Sequence, residues 1–148
     1  MFSKIVVGVD GSEISDNAVR MACDLAGKYD SALYLVHTPQ PHTVAFAMGA
    51  VAGYHAVTTM PDHAEVVAAA QEIVKRATSV AETCGCSIAD ARTDQGDPAE
   101  RIVSCADEVG ADLIVTGRRG LGSIGSLVQG STSQQINHLA KCATLSVT

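Results

Sequence analysis

Apolar residues along this 148-residue chain follow two periods. Three stretches are continuously apolar: Lys4 to Val9 (KIVVGV), Ala32 to Val36 (ALYLV) and Leu113 to Val115, which ends abruptly in Thr116-Gly117. Short unbroken runs of this kind predict strands buried on both faces. Two other stretches, Ser87 to Thr93 and Thr144 to Val147, alternate instead. Alternation leaves one face wet and predicts edge strands. Between these stretches, apolar residues recur every three or four positions, the signature of a helix with one buried face. One such face is Ala18, Met21, Ala22, Leu25, Ala26 and Tyr29; a second runs from Val66 to Ala81; a third holds Ile102, Val103, Ala106 and Val109.

Helix starts are marked by side chains that can accept from unpaired backbone N–H groups. Ser12 precedes the first helix, with Glu13 placed favourably at its positive end. Asp62 and Glu65 form a capping box, and Asp97-Pro98-Ala99-Glu100 repeats that pattern with proline at the first helical position. Gly85 and Gly110 are natural stops. A short fourth helix is expected over 133–140.

Five strands alternating with four helices predict an α/β fold: a single open parallel sheet, doubly wound, with helices on both faces. Strands one, two and four are continuously apolar and belong inside, whereas strands three and five alternate and belong at the edges. The order 3-2-1-4-5 satisfies both constraints. It puts the topological switch between strands one and four, where ligands bind in such sheets. The length predicts one domain, 1–148.

That switch coincides with the chain's glycine-rich stretch. After the strand ending at Thr116 come Gly117, Gly120, Gly122, Gly125 and Gly130, and then Ser131, Thr132 and Ser133 open a helix. A strand, a glycine loop and a helix start together make a phosphate cradle. Glycines allow close approach and positive φ, and the first N–H groups of the helix face an anion. Asp10 and His37 are expected on the same rim. After Asp112 the chain carries no carboxylate side chain, while Arg118, Arg119 and Lys141 are present, which predicts a locally positive region.

Two familiar phosphate motifs fail. Gly120, Gly122 and Gly125 spell a dinucleotide fingerprint, but no further βαβ unit and no acid for a ribose follow. The P-loop lysine position is occupied by Ser126. The remaining pattern is Gly117, two residues, Gly120, nine residues, then Gly130-Ser131. A glycine-rich surface loop with no ligand is the other reading of these residues.

Composition narrows the function classes. A net charge of −6 and only 3% aromatic residues, with no Trp, argue against a nucleic-acid-binding face. The segment 31–61 has no Asp, Glu, Lys or Arg. Its Ala/Gly/Thr-rich stretch 43–60 lacks the dense Leu/Ile content of a membrane span. It reads as a mildly apolar flap over a ligand or as a crossover without a role. His37, His42, His55 and His63 fit no standard metal spacing. Five cysteines, an odd number, and no secretory signal point to reduced thiols and a cytoplasmic protein.

The segments KIVVGVDGS (4–12), LYLVH (33–37), GDPAERI (96–102), DLIVTGRRG (112–120) and GSTSQQI (130–136) together resemble the universal stress protein family. The glycine spacing resembles its ATP-binding branch. This resemblance implies the following site. Asp10 and the backbone around Val36 border the adenine. Thr116 and Gly117 meet the base and ribose. Gly120, Gly130, Ser131, Thr132 and Ser133 hold the ribose and phosphates. It also implies ATP, with or without Mg2+, as the ligand, and a homodimer through the last strand, 144–147. Cys142-Ala143-Thr144 departs from a Cys-Pro-Val turn common in the family. Three functions are compatible: a regulatory nucleotide sensor with at most slow hydrolysis and a protein partner not identified by the residues; an ATP-hydrolysing enzyme using Asp10; and a nucleotide-free interaction module. ATP is not separated from AMP or cyclic AMP.

Overall fold

The computed structural model of the chain describes residues 1–40, 62–119 and 130–148. Gly120 and residues 41–61 of the uncharged 31–61 segment read as a flap lie outside the described residues. The elements are β1 (Lys4–Gly8), α1 (Glu13–Tyr29), β2 (Ala32–His37), α2 (His63–Thr83), β3 (Ile88–Thr93), α3 (Pro98–Val109), β4 (Leu113–Gly117), α4 (Ser131–Leu139) and β5 (Ala143–Val147). All four strand pairings are parallel, and the order is β3-β2-β1-β4-β5. The expected fold and strand order are therefore found.

Each cap forms as its sequence predicts. Ser12 Oγ accepts from Ser15 N–H at 3.1 Å. Asp62 and Glu65 exchange the two bonds of a capping box, at 2.8 and 2.9 Å. Asp97 Oδ1 accepts from Glu100 N–H at 3.0 Å. Helix α3 stops at Gly110, whose φ of +66° is the left-handed conformation that glycine adopts without a steric penalty.

The pleat of β1 separates two apolar layers. Ile5, Val7 and Val9 pack with Leu33, Leu35 and Val115 against α1 and α2. Val6 faces the other way, with Val36 and Ile114, against Ala99, Ile102, Cys105 and Ala106 of α3 and Ile136 of α4. The face of α1 is rotated from the predicted one. Val19 and Cys23 are buried, while Met21 is 42% exposed. Asp16 is buried too, because Arg76 of α2 reaches it with both Nε (3.1 Å) and a terminal nitrogen (2.5 Å). No helix among the described residues is long and apolar enough to cross a membrane.

Candidate functional site

The strand registers set Val36, Gly8, Thr116 and Ser146 side by side across β2, β1, β4 and β5. The residues that follow them form the C-terminal rim of the sheet. Asp10 and Thr116-Gly117 therefore meet at the predicted switch point, between β1 and β4.

At the β1 end, Asp10 Oδ1 accepts from Ser12 N–H at 3.0 Å, closing a turn around Gly11. Gly11 needs both of glycine's attributes. Its φ is +82°, and a Cβ there would lie 2.9 Å from Ile73 Cγ1 of α2. The β2 end is more ordered than a loop. The Val36 carbonyl accepts from Val9 N–H at 2.9 Å, and the Val36 side chain belongs to the α3 layer. His37 is a strand residue, only 4% exposed, with Nδ1 2.8 Å from the Val9 carbonyl. A carbonyl can only accept, so Nδ1 carries the proton. Burial pushes the ring below the usual imidazole range; the Val9 carbonyl and the Asp10 charge oppose this more weakly. His37 Nε2 is then a bare acceptor, and it is buried without a partner among the described residues, as is Thr38 Oγ1 beside it.

At the β4 end, Gly117 and Gly130 use only one of the two glycine properties predicted for the loop. Neither Gly117 nor Gly130 has positive φ. What they provide is close approach. A Cβ on Gly117 would lie 2.9 Å from Ile14 Cγ2 and 3.1 Å from the Arg119 carbonyl oxygen, and a Cβ on Gly130 would lie 3.1 Å from the Arg118 carbonyl oxygen. Arg118 ties three elements together through its backbone. Its N–H donates to Val147 at 2.7 Å, and its carbonyl accepts from Gly130 N–H at 2.8 Å.

Helix α4 starts earlier than expected, with Gly130 as N-cap and Ser131, Thr132 and Ser133 as its first turn. Gly130 has no side-chain oxygen, and no side-chain cap hydrogen bond forms. The first intrahelical donor is Gln134, whose N–H reaches the Gly130 carbonyl at 3.1 Å. The turn before it therefore presents N–H groups at the positive end of the helix. Ser131 is exposed and Thr132 half-buried. Ser133 differs: it is 3% exposed and donates inward to the Gly130 carbonyl at 2.9 Å. Its hydroxyl holds the loop rather than facing the crevice.

Two other expectations change. Lys141 does not join the arginines. It precedes β5, at the end of the strands opposite the C-terminal rim, and pairs with Asp107 at 2.7 Å. Asp94, unassigned from sequence, does reach the rim, where its N–H donates to the His37 carbonyl at 3.0 Å. It follows an edge strand, and only the β2–β3 register reveals its position. The buried Thr38 likewise had no local signal beyond its place after a strand. Among the described residues, no group of three or more His, Cys, Asp or Glu is placed to hold a metal ion.

With this geometry in view, the comparisons with known proteins are informative. A profile of the Universal stress protein family matches residues 1–148. The chain is 37% identical over 147 residues to the universal stress protein in the QAH/OAS sulfhydrylase 3′ region of Thermus aquaticus, covering 99% of each. It is 29% identical over 153 residues to universal stress protein YxiE of Bacillus subtilis, again covering 99% of each. Among solved structures, a universal stress protein in complex with cAMP is similar, with a TM-score of 0.72 and 25% identity, covering 99% of this chain and 97% of the other. By its profile match and its relatives, this chain belongs to the universal stress protein family.

Proposed function

We propose that the chain is an ATP-binding regulatory protein, one nucleotide-binding domain over 1–148, that senses nucleotide and signals through contacts with a protein partner. One observation carries this reading. The Asp10 turn, Thr116-Gly117 and the uncapped start of α4 converge on the switch crevice, at glycines whose missing Cβ atoms leave the backbone close-packed. The solved family member in complex with cAMP supports an adenine ligand. In this reading Asp10 and the end of β2 at Val36 border the base, and Thr116 and Gly117 meet base and ribose. Gly120, Gly130, Ser131 and Thr132 hold ribose and phosphates, and Ser133 contributes its N–H. Arg118 and Arg119 beside the loop favour a polyphosphate over a monophosphate. Mg2+ enters as the companion of those phosphates. Hydrolysis is slow in this reading, because fast phosphoryl transfer needs a positioned base and a dedicated metal site. The protein is cytoplasmic and dimerises through the edge strand at 144–147, since an unpaired edge invites a second copy.

Native mass spectrometry of freshly purified protein tests the reading. The expected species is a dimer carrying ATP or ADP on each subunit. An empty chain that also fails to bind added ATP would overturn it. Asp10→Ala is expected to weaken ATP binding at least tenfold; loss of turnover with binding intact would instead favour an ATP-hydrolysing enzyme.

A further inference from the structure

Val9 is held by both of its backbone polar groups just where β1 stops. Its N–H donates to the Val36 carbonyl at 2.9 Å, and its carbonyl accepts from His37 Nδ1 at 2.8 Å. The next residue is Asp10, whose Oδ1 accepts from Ser12 N–H at 3.0 Å and so closes a turn with its own side chain. Ser12 then caps α1 through Ser15 N–H at 3.1 Å. A run of hydrogen bonds therefore leads from the His37 ring, through Val9 and Asp10, to the start of α1.

The anchor of this run is itself fixed. His37 is the last residue of β2 and is in register with Thr93 of β3. Its carbonyl accepts from Asp94 N–H at 3.0 Å, and the residue is buried. Only one ring nitrogen is used, since Nε2 has no partner among the described residues. A buried acceptor left unpaired is a cost to the fold, so what the other nitrogen does accounts for a histidine at this place.

We infer that His37 is a positioning residue for nucleotide binding: its Nδ1–H pins the Val9 carbonyl and thereby sets Asp10 at the edge of the base. The inference rests on the proposed nucleotide site, in which Asp10 borders the base. The Val9 carbonyl and the Asp10 nitrogen belong to one planar peptide group. Pinning that carbonyl fixes the plane from which the Asp10 side chain departs, and the Ser12 N–H holds its Oδ1 from the other side. A carboxylate held from both sides has little freedom left to lose when a ligand arrives, and such preorganisation raises affinity. His37 acts through Asp10 and does not itself touch the ligand. The geometry also specifies which replacements work. Asparagine carries its amide nitrogen at the δ position, where the ring carries Nδ1. Glutamine carries its amide nitrogen at the ε position, where the ring nitrogen has no partner here.

The test is calorimetry of ATP binding to the full-length chain well below its melting temperature, with His37→Asn, His37→Gln, Asp10→Ala and the double variant His37→Gln/Asp10→Ala. Loss of one neutral hydrogen bond predicts an affinity about 3–10-fold lower in His37→Gln, whereas His37→Asn stays within about twofold of the unsubstituted chain. In the Asp10→Ala background, His37→Gln has no further effect, because the carboxylate it would misplace is gone. A role in stability alone would lower the unfolding midpoint and leave the affinity of the folded protein unchanged. No loss in His37→Gln, equal losses in the two His37 variants, or a glutamine effect that persists in full without Asp10 would each overturn the inference. Nitrogen NMR of the unsubstituted chain needs no variant to fold: the ring proton is expected on Nδ1, and a proton on Nε2 alone would overturn the inference as well. Failure of the nucleotide site itself reads differently. An unsubstituted chain that binds no ATP, or an Asp10→Ala variant with unchanged affinity, removes that site and the positioning role with it, whereas weakened Asp10→Ala beside unchanged His37→Gln removes the positioning role alone.

Discussion

Gly8 carries the sharpest steric statement in the fold. A Cβ built there would lie 2.5 Å from Ile102 Cδ1 and 3.2 Å from Thr116 Cγ2. Carbon atoms pack best at about 3.5–4.0 Å, so Gly8→Ala requires Cδ1 to withdraw by roughly 1 Å. Ile102 is 5% exposed and packed among Val6, Ile114 and Ile136, which leaves its side chain little room to move. Overpacking of this kind costs about 1–3 kcal/mol. Gly8 does not have positive φ, so alanine regains about 0.4–1 kcal/mol by restricting the unfolded chain. The net expectation is a destabilisation of about 1–2 kcal/mol, or roughly 2–4 °C in Tm per kcal/mol at this size. Ile102→Val removes Cδ1 and by itself costs about 0.5–1.5 kcal/mol. In the double variant the new methyl occupies the space that Cδ1 vacates. Its stability should match or exceed that of Ile102→Val alone, a favourable coupling of about 1 kcal/mol or more. Urea denaturation of the four proteins, fitted for midpoint and slope, measures this directly. Costs that add to within about 0.5 kcal/mol would refute the reasoning, because they would mean that the two side chains do not compete for the same space.

Gly130→Val places its Cβ against the Arg118 carbonyl, a backbone atom that cannot rotate away. It is expected to lower ATP affinity at least tenfold in calorimetry and stability by about 1–3 kcal/mol. Arg76→Ala strips the buried Asp16 carboxylate of its partner. Because the Arg76 side chain is 53% exposed, the expected cost is well below that of a fully buried pair, about 1–2 kcal/mol by chemical denaturation; no loss at all would count against a structural role for the pair. Two groups shape the response to acid in separate windows. The unfolded chain protonates His37 from about pH 6.5 downward, before the folded chain does, so stability falls with acidification there. His37→Asn, which keeps a donor to the Val9 carbonyl, should flatten Tm between about pH 6.5 and 5. Asp112 is held below the usual carboxylate range by the Ser3 and Lys4 N–H groups. Its contribution is present above about pH 3.9 and is lost as the pH falls through its lower folded value, so Asp112→Asn should reduce the fall in Tm below about pH 4.

Much of this protein is determined locally and can be read in the chain. Continuous apolar runs placed β1, β2 and β4 inside the sheet, and alternation placed β3 and β5 at its edges, constraints that the observed order satisfies. Ser12, Asp62 and Asp97 cap their helices because a cap needs only a side chain and an N–H three residues away. The candidate site was legible for the same reason: a strand end, a glycine loop and a helix start are consecutive in sequence. What each side chain meets across the fold was decided only by tertiary structure. Ser133 turns inward because the Arg118 carbonyl approaches from the end of β4, and Lys141 leaves the expected positive region because Asp107 of α3 stands beside the start of β5. Gly117 and Gly130 are required by neighbouring atoms and not by φ. Asp16 can be buried because α2 delivers Arg76 to it, and Cys86 reaches the Cys23 carbonyl because α1 and α2 share one face of the sheet. Parallel strands are joined by long crossovers, so the partners that determine these environments lie tens of residues away, beyond the reach of periodicity and capping signals.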